Sequence, residues 1–331
     1  MNEHDSIKGM DLCRRYYEEF GKKAMENVLH RFPGLQAAYG LVGEGSQCFG
    51  YDDEISRDHD FAPGFCIWLS EEDYKAAGGD LAAAYGALPD TFLGFSRNNV
   101  IARDRLGVMT VRSFYGRFTG CAGTKALPGL PETNWDWFLI SEHALASATN
   151  GLVFRDDSGV FSAVRKKLLD FYPEDVRRKK IAARAAVMSQ AGQYNLLRAV
   201  KRGDTVAAMI SASRFTEAAM SMVYLLNRRY APFYKWTYRG LADLEILTES
   251  AAGLKELPRL LGQMEGTGLA DVYSRAFAIT EEVCAAAAAE LRRQKISAVN
   301  SDFLQDHLGD IMGGIKDPKL SALSPMVDCS N

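Results

Sequence analysis

Asp58 and Asp60 flank a single histidine, with eleven residues separating them from a Gly45-Ser46 pair, in the stretch GEGSQCFGYDDEISRDHDF that begins at Gly43. A glycine beside a small hydroxyl lets backbone N–H groups approach a phosphate closely, and the hydroxyl adds a donor. Residues at i and i+2 of an extended segment point to one side, so Asp58 and Asp60 would present two carboxylates together. Like charges held close need a cation between them, and Mg²⁺ bridged to substrate phosphates meets that need. A phosphate cradle beside such a pair suits phosphoryl or nucleotidyl transfer. The alternative is a solvated acidic loop, because Gly, Ser and Asp are ordinary turn residues. Asp52, Asp53 and Glu54 read that way, as loop carboxylates in water.

The chain must carry this segment on a folded frame, and its composition allows one. It has 331 residues, 47% hydrophobic and 24% charged, which is room for two domains with substantial cores. A formal net charge of −3 gives no reason to expect nucleic-acid binding. The six cysteines form no C-x-x-C pair and the five histidines are dispersed, so a structural zinc site is not expected. The polar start MNEHDSIKGMD and the lack of a membrane-length apolar run point to a cytoplasmic protein away from membranes.

Helical spacing runs from Met10 to Phe32, a short apolar strand follows over Ala37–Val42, and glycines then open the Gly-Ser turn. A second strand, interrupted near Pro63-Gly64, continues to Leu69. Ser70 caps a helix to about Tyr85, and Gly107–Val111 is a further strand. A Gly-, Pro- and Thr-rich loop spans 120–133. From Trp135 on the chain reads as largely helical. Gly203 suits a helix C′ position and Asp204 the next N-cap, which predicts an antiparallel pair from 174–200 and 204–230. The expected fold class is α+β, with a small mixed sheet followed by a helical bundle, divided as 1–156 and 157–331.

A Gly-Ser turn followed at this spacing by Asp-x-Asp resembles the nucleotidyltransferase superfamily, which includes DNA polymerase beta and the aminoglycoside nucleotidyltransferases. The string from Gly43 through SRDHDFAPGF to YAPFYKW near residue 236 is similar to a bacterial branch that joins such a domain to a helical one. The resemblance implies that Gly45 and Ser46 hold a terminal phosphate and that Asp58 and Asp60 bind Mg²⁺. It implies a nucleoside triphosphate donor, expected to be ATP, and a small-molecule hydroxyl acceptor. Related helical domains close over the nucleotide, so Lys235 becomes the candidate for the triphosphate tail, with Tyr234 beside it. Phe233 and Trp236 read as core.

In the superfamily a third carboxylate on a later strand often joins the pair. Here that strand is Gly107–Val111 and holds no acid. Glu142, on the helix starting near Trp135, is the candidate base, set against a reading as a solvated helix residue. His59 reads as structural, and Arg57 as either a phosphate contact or a loop ion pair. Tyr194, Asn195 and Arg198 fall on nearly one helical face and with Arg214 would form an acceptor pocket or a buried polar network. The run Arg177-Arg178-Lys179-Lys180 covers a whole helical circumference and reads as a solvated helix start. Three functions remain open: a Mg²⁺-dependent nucleotidyltransferase, a catalytically silent nucleotide-binding protein, and a helical interaction module on a scaffold.

Overall fold

The computed structural model describes residues 7–57, 61–97, 105–262 and 268–328. The chain divides into two compact units, each built from two stretches. The first comprises residues 1–132 and 144–170, the second 133–143 and 171–331.

The first unit opens with α1 (Gly9–Tyr16), a π-helical turn (Tyr17–Gly21) and α2 (Lys22–Leu29). Strand β1 (Ala37–Leu41) leads through the Gly-Ser turn into the short α3 (Ser46–Phe49), and β2 (Cys66–Leu69) into α4 (Glu71–Gly86). Ser70 caps α4 as its sequence predicts, accepting from the Asp73 amide. A two-residue-per-strand hairpin, β3 (Thr91–Phe92) and β4 (Phe95–Ser96), precedes β5 (Gly107–Thr110) and α5 (Val111–Thr119). The chain contributes α6 (Asn134–Leu139) to the second unit and runs along α7 (Glu142–Thr149). It completes the first unit with β6 (Leu152–Asp156) and α8 (Val160–Leu169).

The four main strands form one mixed sheet in the order β5-β2-β1-β6. Strand β1 is antiparallel to both neighbours, with Ala37 opposite Leu69 and Leu41 opposite Leu152, while β2 and β5 are parallel. Every residue of β1 and β2 is buried, so both faces of the sheet centre are covered. On one face Tyr39 and Ile67 join Leu12, Tyr16, Tyr17 and Phe65. On the other, Trp68 stacks on Phe161 of α8 at 3.8 Å and meets Phe114 of α5 edge-on. That packing makes α8 part of the sheet unit, whereas the sequence reading began the helical domain at residue 157.

The second unit is helical. Helix α9 (Glu174–Val187) continues through a π-helical segment (Met188–Leu196) into α10 (Leu197–Arg202). Gly203 then adopts φ +71°, Asp204 accepts from the Ala207 amide, and α11 (Thr205–Leu226) returns alongside. This is the expected antiparallel pair. Short α12 (Tyr234–Thr237), then α13 (Ser250–Leu261), α14 (Leu269–Arg293), α15 (Leu308–Gly313) and α16 (Pro318–Ser321) complete it. The architecture is α+β. Among the described residues no helix is long and apolar enough to cross a membrane.

The basic run at the start of α9 departs from its reading. Arg177, Lys179 and Lys180 are buried, not solvated. Their charges are met by groups far away in sequence. Arg177 donates to the Leu225 carbonyl and to Gln294, Lys179 to the carbonyls of Pro325 and Val327, and Lys180 to Asp328 at 3.1 Å. Both ammonium groups also lie 5.6 Å from the Phe138 ring centre. Burial of a cation costs several kcal/mol unless such partners exist, and here they do. A periodicity argument equates charge with water and so could not anticipate them.

Candidate functional site

The Gly-Ser turn is held by its backbone geometry. Gly43 and Gly45 have φ of +132° and +109°, values that side chains strongly disfavour. A Cβ on Gly45 would find only Gln47 Cγ at 3.9 Å, so the conformation and not crowding calls for glycine there. Asn150 brackets the turn, accepting from the Gly43 amide at 2.9 Å and donating to its carbonyl at 2.7 Å. Gly151 fixes the same corner, with its amide bonded to the Cys48 carbonyl. A Cβ there would lie 2.0 Å from the Leu41 carbonyl oxygen. Ser46 opens α3 and is half-buried. Arg117 pairs with Glu44 at 3.0 Å and stacks over Phe118, which brings a guanidinium beside the turn. Neither Asn150 nor Arg117 was foreseen. Asn150-Gly151 is visible in the sequence as a turn, but nothing local says which loop it clamps.

Asp58, His59 and Asp60 lie outside the described residues, as does Asp104. Among the described residues no group of three or more His, Cys, Asp or Glu side chains is placed to hold a metal ion. Strand β5 pairs directly with β2 and carries no carboxylate, and the Thr110 hydroxyl accepts from the Ser113 amide as the cap of α5. Asp52 is not a solvated loop carboxylate. It is buried, accepts from the Gly9 amide at 2.9 Å, and its main-chain carbonyl receives the Lys8 ammonium, which ties the chain's first helix to the loop. Asp53 and Glu54 are exposed, as read. Arg57 donates to the Ile7 carbonyl and stands over the Phe61 ring.

The helical unit has a separate feature, a cleft of about 650 Å³ among α7, α9, the π-helical segment, α11 and α12. Glu142 forms part of its wall and is buried, not a solvated helix residue. Its Oε1 accepts from Arg184 at 3.0 Å and from Ser221 Oγ at 2.8 Å. Its Oε2 is buried with no hydrogen-bond partner among the described residues. Arg184 in turn pairs with Asp328 at 2.6 Å. Burial alone would lower the Arg184 pKa, but Glu142 and Asp328 together raise it.

Of the expected acceptor-pocket residues, Asn195 and Arg214 line this cleft. Tyr194 and Arg198 do not; they are exposed, with the guanidinium 3.6 Å from the ring centre. Tyr194 and Arg198, four residues apart, do share a face, and Asn195 lies one step away from it. Consecutive residues of a helix are about 100° apart, so Asn195 faces the cleft while Tyr194 and Arg198 face outward. Tyr234 lines the cleft and is 72% exposed, while Lys235 is exposed with its ammonium 5.4 Å from the Trp236 ring. Phe233, expected in the core, is 43% exposed and meets His143 edge-on at 5.7 Å. Phe233 is the N-cap of α12, and its ring lies in the cleft wall.

Residues 137–237 match a family model described as Domain of unknown function (DUF4037). All the lining residues of the cleft except Met326 fall inside that stretch. No curated protein matches the chain. Among solved structures, a nucleotidyltransferase-like protein from Exiguobacterium sibiricum is similar at 9% identity and a TM-score of 0.34, over 91% of this chain and 89% of that one. At that level of likeness nothing about chemistry passes from one chain to the other.

Proposed function

We propose that the chain is a Mg²⁺-dependent nucleotidyltransferase, moving a nucleoside monophosphate from a nucleoside triphosphate, ATP first among them, to a hydroxyl of a small molecule. The observation that carries this reading is the turn at the end of β1. Two glycines at positive φ, the first clamped by Asn150 through its own amide and carbonyl, shape the turn that leads into Ser46, whose hydroxyl and the amides after Gly43 suit a phosphate. The sequence adds two hard carboxylates, Asp58 and Asp60, whose oxygen donors suit Mg²⁺. When bound, Mg²⁺ would neutralise phosphate charge. In the transfer an acceptor oxygen bonds to the α-phosphorus, the bond to the bridging oxygen breaks, and pyrophosphate leaves. The hydroxyl proton goes to a base, the role we assign to Glu142.

Asp58→Asn and Asp60→Asn should each abolish Mg²⁺-dependent triphosphate binding, read by titration calorimetry, and leave the melting transition in place. If both variants bind triphosphate and Mg²⁺ as the parent does, the assignment is wrong. A second reading, a silent nucleotide binder, draws on β5, where the strand beside β2 carries no acid. Under it nucleotides raise the melting temperature, yet no triphosphate and acceptor pair releases pyrophosphate.

A further inference from the structure

The cleft in the helical unit has a chemical character of its own. Its volume lies in the range of small-molecule sites, about 300–1,000 Å³. Buried in its wall is the Glu142 carboxylate, with Oε1 accepting from Arg184 and Ser221 and Oε2 without a partner among the described residues. A buried acceptor left without a donor is costly, and more so when charged. The site therefore favours whatever brings a donor to that oxygen.

The charges of the lining cancel. Glu142 and Glu217 are matched by Arg184 and Arg214, and behind them Lys180 is paired with Asp328. His143 also lines the cleft, and burial lowers its pKa, so it is neutral at pH 7. A cationic or anionic ligand would bring a charge with nothing to balance it against the buried Glu142–Arg184 pair. At the rim stand Phe233 and Tyr234, ring centres 4.5 Å apart, both exposed and both lining the cleft. Exposed aromatic pairs offer flat apolar area at little entropic cost.

We propose that this cleft binds a neutral, polyhydroxylated ring of monosaccharide size, which sets one face against Phe233 and Tyr234 and donates a hydroxyl hydrogen to Glu142 Oε2. The inference rests on the transferase reading only in naming this ring as the acceptor; the binding itself requires no nucleotide.

The test is titration of the full chain, without nucleotide or Mg²⁺, with methyl glucoside, methyl galactoside and myo-inositol. Glucosamine and glucuronate serve as the cationic and anionic counterparts, and binding is read by saturation-transfer NMR. At least one neutral polyol should bind about tenfold or more tightly than either charged ring, and Phe233→Ala and Glu142→Gln should each weaken it about tenfold, the size of one hydrogen bond to a charged group. Glu142→Gln disturbs a buried ion pair; should it fail to fold, the exposed Phe233→Ala decides alone. No saturation transfer to any neutral polyol, tighter binding of a charged ring, or binding untouched by Phe233→Ala would overturn the proposal. Polyol binding without pyrophosphate release would leave it standing while the transferase reading fell.

Discussion

His143 shows how a single position ties the cleft to solution conditions. Burial lowers its pKa from the ordinary 6.5, with Glu142 opposing that shift only in part. The folded chain thus binds this proton less readily than the unfolded chain. Its contribution to stability is complete above the ordinary value and is lost as the pH falls through the lowered folded value. The melting temperature should decline on acidification from the ordinary value down through the lowered one, and His143→Gln should flatten the decline. An unchanged slope in the variant would remove His143 from the account. At this scale the sequence was legible where a conformation demands one residue type, as at Gly43 and Gly45. It was misleading where a charge finds a distant partner. Asp52, Arg177, Lys179 and Lys180 read as solvated, as did Glu142 in one of its two readings, and all five are buried against groups distant in sequence.

Among the elements, the π-helical segment Met188–Leu196 shapes the helical unit more than any break in composition suggests. Within it Gly192 faces α11 so closely that a Cβ would lie 2.2 Å from the ring of Phe215, itself fully buried. The absence of a side chain lets the two helices meet. Gly192→Ala would gain helix propensity, about 1 kcal/mol. The clash should outweigh it, for a net loss of about 1–3 kcal/mol by overpacking. Urea denaturation measures the difference, and a stabilised variant would contradict the contact. Strands β1, β2 and β5 and the paired α9 and α11 were all readable from apolar runs and caps. The π-helical turn was not, because a window tuned to 3.6 residues per turn averages over it. Of Tyr194, Asn195 and Arg198, Asn195 alone lines the cleft, because adjacent helical positions lie about 100° apart.

At the scale of the whole molecule, each unit is assembled from two separated stretches, and the short one matters. Thr133–His143 gives the helical unit Phe138, over which Lys179 and Lys180 lie, and Glu142, the partner of Arg184. A fragment starting at residue 157 would keep Arg184 buried and take away one of its carboxylates, at a cost of about 3–5 kcal/mol for a broken buried pair. It should melt without a cooperative transition and bind a hydrophobic dye, whereas a fragment starting at residue 133 should melt cooperatively. Equal cooperativity in both would show that the short stretch is dispensable. The interleaving also orders events in time. A chain emerging from the ribosome makes β1 long before β6, so the strand that ends as an interior member of the sheet first waits as an edge with unpaired backbone groups. By the time Asp156 appears and that edge can close, residues 133–143 have already been made, and they must wait in turn for α9 and α11. The first unit can close once residue 170 has been made, whereas residues 133–143 are held open until α9 and α11 arrive, so the exposed piece of a nascent chain is this one short stretch of the second unit.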